Sequence, residues 1–182
     1  MKYLFLFFIL SIPIIALSWR SLVSIKNHGF YRFFGWECIV WLLVCNFHYW
    51  FYKPFSLLQI LSWMFLFIGL YYIFASLIPF RKYDNSHTSR NDPSLFGFEK
   101  TTKLVNVGIY KYIRHPMYSS LIFVTWGICL KNISIELLTI SIIASSLFFI
   151  TAKKDEKECI EYFGTIYLDY MKKSKMFIPF LF

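Results

Sequence analysis

The stretch TKLVNVGIYKYIRHPMYSSLIFVTWGICL, residues 102–130, decides the fold. Its first half carries Arg114, His115, Tyr110, Tyr112 and Tyr118, and its second half, from Tyr118 to Leu130, is apolar. At about 1.5 Å per helical residue the apolar part reaches roughly 20 Å, short of a hydrocarbon core about 30 Å thick. The entrance to this helix must therefore lie within the membrane, tilt, or be extended by the residues before it. Polar groups at that depth are tolerated only where protein or water lines them, so residues 102–118 are expected to line a cavity. The ring of Pro116 crowds the preceding residue and holds His115 out of the helix. Pro116 itself opens the next helix, where its missing N–H is not needed. The pattern predicts a rigid elbow at a helix entrance, with backbone N–H groups beside Arg114 and His115 free to meet a polar or charged ligand.

Outward from the elbow the chain is organised in apolar blocks. Over 182 residues, 58% are hydrophobic, 22 are Phe, and the mean hydropathy is +0.54. This is more than a soluble core of this size uses, and it predicts one all-α domain, a polytopic integral membrane protein. About five transmembrane helices are expected, over Leu4–Trp19, Phe33–Tyr52, Phe55–Ile78 (ended by Pro79), Tyr118–Leu130 and Ile133–Ala152. Residues 1–80 thus hold three N-terminal spans, and residues 81–182 the remaining core. Trp36, Trp41, Trp50 and Trp63 fall mostly toward span ends, as an aromatic belt does. Glu37 and His48 read as interfacial anchors or as groups turned into a substrate cavity. Residues 81–101 form a polar loop with Asp92-Pro93 as its turn signal, long enough to fold over a site.

The formal net charge of +9 does not point to nucleic acid, because the charges lie between apolar blocks. Of the 19 Lys and Arg, only Lys2, Lys53 and Lys131 fall on one side of a five-span arrangement. The other side, which carries the elbow and the C-terminal segment, is therefore expected to be cytoplasmic. Cleavage after a signal-like Ala16-Leu17-Ser18 would invert this pattern. Cys38, Cys45, Cys129 and Cys159 form no C-x-x-C pair and read as buried thiols; no metal-ligand cluster is seen.

The segment Lys153–Lys175 is charged yet periodic, and Glu156, Ile160, Phe163, Tyr167 and Tyr170 are expected on one stripe of a C-terminal cytoplasmic amphipathic helix. Asp155 and Glu156 would sit in its first turns, where carboxylates suit the helix dipole. The tail MFIPFLF, residues 176–182, is apolar enough to dock on the membrane.

Two patterns in this order resemble the isoprenylcysteine carboxyl methyltransferase family and its phospholipid methyltransferase relatives. Gly108, Tyr110, Arg114, His115, Pro116 and Tyr118 match the first, G-x-Y-x-x-x-R-H-P-x-Y. Asp155, Glu156, Cys159, Phe163, Gly164, Tyr167 and Tyr170 match the second, E-E-x-x-L-x-x-x-F-G-x-x-Y-x-x-Y, with Asp155 and Cys159 as departures. The resemblance covers roughly residues 100–182. It implies S-adenosylmethionine as methyl donor and a lipophilic or prenylated acceptor drawn from the membrane. The absence of a G-x-G-x-x-G fingerprint after a strand agrees that no Rossmann domain is present.

Carried over position by position, the resemblance implies cofactor contacts at Thr102, Lys103, Leu104, Val105, Tyr110, His115, Pro116, Met117, Tyr118, Asp155 and Glu156. Arg114 and His115 are the implied catalytic residues. Arg114 would anchor the cofactor carboxylate or an anionic group of the substrate, and His115 would act as a cofactor contact or general base. Carboxyl methyltransferases of the family tend to carry an arginine one helical turn before the acidic pair; Thr151 stands there, with Lys153 and Lys154 as the nearest cations. Lysine lacks the bidentate fork that suits a carboxylate, so phospholipid amines and thiols stay open as acceptors. Two further classes stay open. A sterol-type membrane reductase would use a reduced nicotinamide cofactor, and a non-enzymatic membrane scaffold would need none. The compact chain fits a bacterial cytoplasmic membrane.

Overall fold

The computed structural model describes residues 2–83 and 102–181, and among these all the regular structure is helical. The helices are α1 (Lys2–Leu22), α2 (His28–Asn46), α3 (Leu57–Tyr83), α4 (Pro116–Cys129), α5 (Ile135–Phe163) and α6 (Thr165–Lys173), with short 3-10 turns at Phe47–Tyr49 and Gly108–Lys111. Among the described residues four helical stretches are long and apolar enough to cross a membrane: Lys2–Leu22, His28–Tyr49, Leu57–Pro79 and Ile135–Phe163; Pro116–Cys129 is a shorter apolar helix. The expected segment over residues 81–101 lies largely outside the described residues.

Helices α2, α4 and α5 form the middle of the bundle, α1 packs outside α2, and α3 packs outside α4. Their shared core is Ile39, Leu42, Ile128, Cys129, Leu137, Ala144 and Phe148. The register of α2 against α5 is antiparallel: His28 meets Glu158, Gly35 meets Phe148, and Trp41 meets Glu136. Many large apolar side chains on the outer faces stay exposed, including Phe5, Phe8, Phe67, Phe74 and Ile142. In a bilayer these meet lipid, which is as apolar as the side chains themselves.

Several expectations are corrected in detail. The apolar span does end at Pro79, as expected, but the helix does not: α3 carries this proline internally and runs on to Tyr83; proline is tolerated inside membrane helices. The charged segment after Ala152 does not begin a new helix. Lys153 and Lys154 are good helix formers, so α5 continues unbroken for 29 residues until Gly164, at φ 60, stops it. Asp155 and Glu156 therefore stand deep within α5 rather than in a first turn, and the dipole of a new helix has no part in placing them. The expected stripe is divided as well: Glu156, Ile160 and Phe163 belong to α5, while Tyr167 and Tyr170 are re-aimed on α6. Glu37 faces α1, where its carboxyl is hydrogen-bonded to the Ser11 hydroxyl, whereas His48 is exposed in the turn after α2.

The close approach of α2 to α5 yields a test. A Cβ on Gly35 would lie 2.5 Å from the ring of Phe148, which is fully buried. Gly35→Ala must displace that ring and is expected to cost about 1–3 kcal/mol, in the range of overpacked cores. Thermal unfolding in detergent checks it; an unchanged midpoint would contradict the packing described.

Candidate active site

The site is built where the elbow, the last turns of α5 and the C-terminal segment meet. His115 caps α4 with a non-helical backbone (φ −122, ψ 56), and Pro116 follows as the first helical residue, as the sequence predicts. Gly108 enters the elbow at φ 61, a conformation that favours glycine, with the ring of Pro79 close by. The backbone N–H groups beside the elbow are not free. Arg114 N donates to the Lys175 carbonyl at 2.8 Å, and His115 N donates to the Met176 carbonyl at 3.1 Å. The Lys175 N–H returns a bond to the Tyr112 carbonyl at 2.8 Å, closing a parallel bridge between Ile113 and Lys175. The cause is residues 174–177, which do not simply lie on the membrane: Met176 and Phe177 are buried in the protein, while Ile178, Phe180 and Leu181 remain exposed.

Arg114 joins three segments. Its Nε donates to Glu156 Oε1 at 2.8 Å, and its Nη1 donates to the carbonyls of Met171, at 3.2 Å, and Ser174. Glu156 Oε2 accepts from Lys153 Nζ at 3.1 Å. His115, 4% exposed, lies between the two carboxylates, with Nδ1 3.5 Å from Asp155 Oδ2 and Nε2 3.5 Å from Glu156 Oε1. Among the described residues, its buried Nε2 has no hydrogen bond of good geometry. Tyr118 stacks on the imidazole at 5.6 Å, and Phe177 lies 6.1 Å from it at a tilt. Tyr118, Ala152, Met176 and Phe177 form a second apolar cluster around these groups.

The other expected residues take distinct places. Pro116 is fully buried, and the Met117 carbonyl accepts from Ser120 Oγ. Tyr110 is buried, and its carbonyl accepts the Tyr170 hydroxyl at 2.6 Å. Burial pushes the hydroxyls of Tyr167 and Tyr170 far above the ordinary tyrosine range, so both stay protonated. Thr102, Lys103, Leu104 and Val105 form the approach to the Gly108 turn, with Val105 buried and Lys103 exposed. Thr151 is buried and donates to the Leu147 carbonyl. Of the two lysines near it, Lys153 is bound to Glu156, and Lys154 lies over the Tyr31 ring at 5.6 Å.

Residues that the sequence gave no reason to single out complete this end of the bundle. Glu158 accepts from the backbone N–H of His28 at 2.9 Å and pairs with His28 Nδ1 at 2.8 Å. Arg32 Nη1 approaches His28 Nε2 at 3.5 Å, and its guanidinium lies 5.4 Å from the Trp36 ring centroid. A positive start to α2 opposite the acidic turn of α5 was the available signal, but it becomes legible only once the two helices are known to pair.

A family model for phospholipid methyltransferases matches residues 57–165, more than half of the chain. The chain belongs to that family. The match spans α3, the elbow, α4 and the acidic turn of α5, and stops before the segment that closes on the elbow. A methanethiol S-methyltransferase from Pseudomonas deceptionensis is 29% identical over 73 residues, which are 40% of this chain and 27% of that protein. The chain thus spans about a quarter of that relative's length. No solved structure gives a significant match. The family match and the apolar helices together describe a member of the phospholipid methyltransferase family with helices long enough to cross a membrane.

The imidazole carries a pH dependence. Burial alone would lower its pKa, but the carboxylates of Asp155 and Glu156 outweigh burial and raise it above the ordinary 6.5. A base with a raised folded pKa contributes stability that is complete below about 6.5 and lost as pH rises through the folded value. The melting temperature in detergent is expected to fall over that rise more steeply for the native chain than for His115→Gln. Parallel curves would show that His115 is not held by the acidic pair.

Proposed function

We propose that the protein transfers the methyl group of S-adenosylmethionine to a lipophilic, uncharged nucleophile at the cytoplasmic face of a membrane, such as a thiol or a lipid amine. The observation that carries this reading is the row Arg114, Glu156, His115, Asp155, held at one end of an apolar bundle within the family's matched region. The residues present suit such a donor. Among the described residues the buried Nε2 of His115 makes no hydrogen bond of good geometry, with Glu156 Oε1 3.5 Å away, and an acceptor on the donor molecule would complete it. Asp155, with its side chain 28% exposed, can accept from an amino group or ribose hydroxyls. The rings of Tyr118 and Phe177 lie against the imidazole at 5.6 and 6.1 Å, so aromatic surface, which suits a positive centre, borders the site.

When bound, S-adenosylmethionine supplies an electrophilic methyl carbon activated by a sulfonium. The chain's own residues then bind, orient and keep water out, which are the main requirements of a displacement of this kind. His115, cationic between two carboxylates, is a binding group rather than a base below its raised pKa. Asp155, paired with that imidazolium, is a binding group as well, and the proton that the acceptor gives up passes to solvent at the cytoplasmic end. The cations nearest the acidic pair favour an uncharged acceptor. Arg114 and Lys153 are both bound to Glu156, and Thr151 presents no positive charge to an acceptor carboxylate. The relative whose printed name is a methanethiol S-methyltransferase makes a thiol the first acceptor to try. The charge distribution supports a cytoplasmic site.

Transfer of a radiolabelled methyl group from S-adenosylmethionine to lipid-soluble thiols, phosphatidylethanolamine and a prenylcysteine, in proteoliposomes, tests the reading. Label is expected in a thiol or amine and not in the prenylcysteine carboxylate. His115→Ala and Glu156→Gln are expected to lower the rate at least about tenfold, equivalent to ~1.4 kcal/mol, while both variants still insert and elute as monodisperse protein. Transfer only to the carboxylate would overturn the acceptor assignment, and undiminished transfer in both variants would overturn the site.

A further inference from the structure

The segment that closes on the elbow lies beyond the family's matched region, yet it delivers a ring to the centre of the site. Residues 174–177 are fastened to the elbow on both sides of that ring's backbone. Arg114 N and His115 N donate to the carbonyls of Lys175 and Met176, and Ser119 Oγ donates to the Phe177 carbonyl at 2.8 Å. The position of Phe177 is thus set by the same residues that set His115. Its ring is 6% exposed, lies 6.1 Å from the imidazole and 6.2 Å from Phe149, and shares an apolar cluster with Tyr118 and Ala152. Phe149 and Ala152 precede the acidic pair on α5, so aromatic faces and carboxylates border one region. Ring faces and carboxylates share a preference for a positive centre shed of its water.

We propose that Phe177 is a recognition residue for the positive charge of the methyl donor, its ring favouring a sulfonium over the neutral thioether left after transfer. This rests on the methyltransferase reading and adds to it a means of discriminating donor from product. A phenylalanine with only a packing role would support both ligands alike, because they differ by one methyl group and one charge.

The test is equilibrium binding, by calorimetry, of S-adenosylmethionine and of S-adenosylhomocysteine to the detergent-solubilised full chain. Phe177→Leu is expected to weaken the first roughly tenfold, within the range of a desolvated cation–π contact, and the second less than about twofold. Phe177→Tyr is expected to keep the preference. Should Phe177→Leu fail to fold, stepwise fluorination of the Phe177 ring changes its electrostatics with little change of shape. Affinity for the sulfonium is then expected to fall with each fluorine while affinity for the thioether holds. Equal losses for both ligands, in either series, would overturn the inference and leave the methyltransferase reading in place. Failure of the unmodified chain to bind either ligand would overturn both.

Discussion

The guanidinium of Arg114 is the group on which this end of the molecule depends. With its side chain 10% exposed, it binds a carboxylate that is 4% exposed and two backbone carbonyls of the segment after Tyr170. A charge so far out of water must have its hydrogen bonds met, and a single planar fork meets them from two segments distant in sequence. The elbow, the acidic turn of α5 and the C-terminal segment are thereby held in one arrangement. Removing the guanidinium would leave Glu156 buried with Lys153 as its remaining bonded cation, which is more costly than the pair is stabilising. His115 then finds its place between Asp155 and Glu156 as a consequence of that arrangement.

The opposite end of the bundle is organised by a different cation. Lys131, 5% exposed, sits with Nζ 3.7 Å from the Trp63 ring centroid and 5.2 Å from that of Trp50, and donates to Gln59 Oε1 at 3.0 Å. Burial pushes its pKa down to about 8. Gln59 in turn donates to the Tyr49 carbonyl, so the two loops at this end are pinned through one ammonium and one amide. One end thus uses paired charges and the other an aromatic enclosure. Only the first places carboxylates, imidazole and ring faces together, and that concentration separates a candidate site from a structural anchor.

The legible part of the fold was whatever depends on local pattern. The apolar blocks gave the first four apolar helices to within about five residues at each end, and the start but not the end of α5, because hydrophobic length is a property of the segment itself. The His115-Pro116 elbow came out as expected because proline sterics act between neighbours. The continuation of α5 through Lys153 and Lys154 was misjudged because charge was read as a boundary, whereas helix propensity and the absence of a breaker before Gly164 decide it. The elbow's N–H groups were read as free because a partner some sixty residues downstream leaves no mark on the local sequence. Within the candidate site, Arg114, His115, Asp155 and Glu156 were found through their motifs and lie in contact. Phe177, Glu158 and His28 were not found, since each acquires its place only through tertiary pairing.

The central claim is that the elbow, the acidic turn of α5 and residues 174–177 together form the donor's site. Amide hydrogen exchange of the detergent-solubilised protein, with and without S-adenosylmethionine, tests it most directly. Slower exchange in the presence of the ligand, concentrated at residues 113–118, 153–158 and 174–177, is the predicted result. Protection confined to other helices, or an exchange pattern indifferent to saturating ligand, would contradict the account.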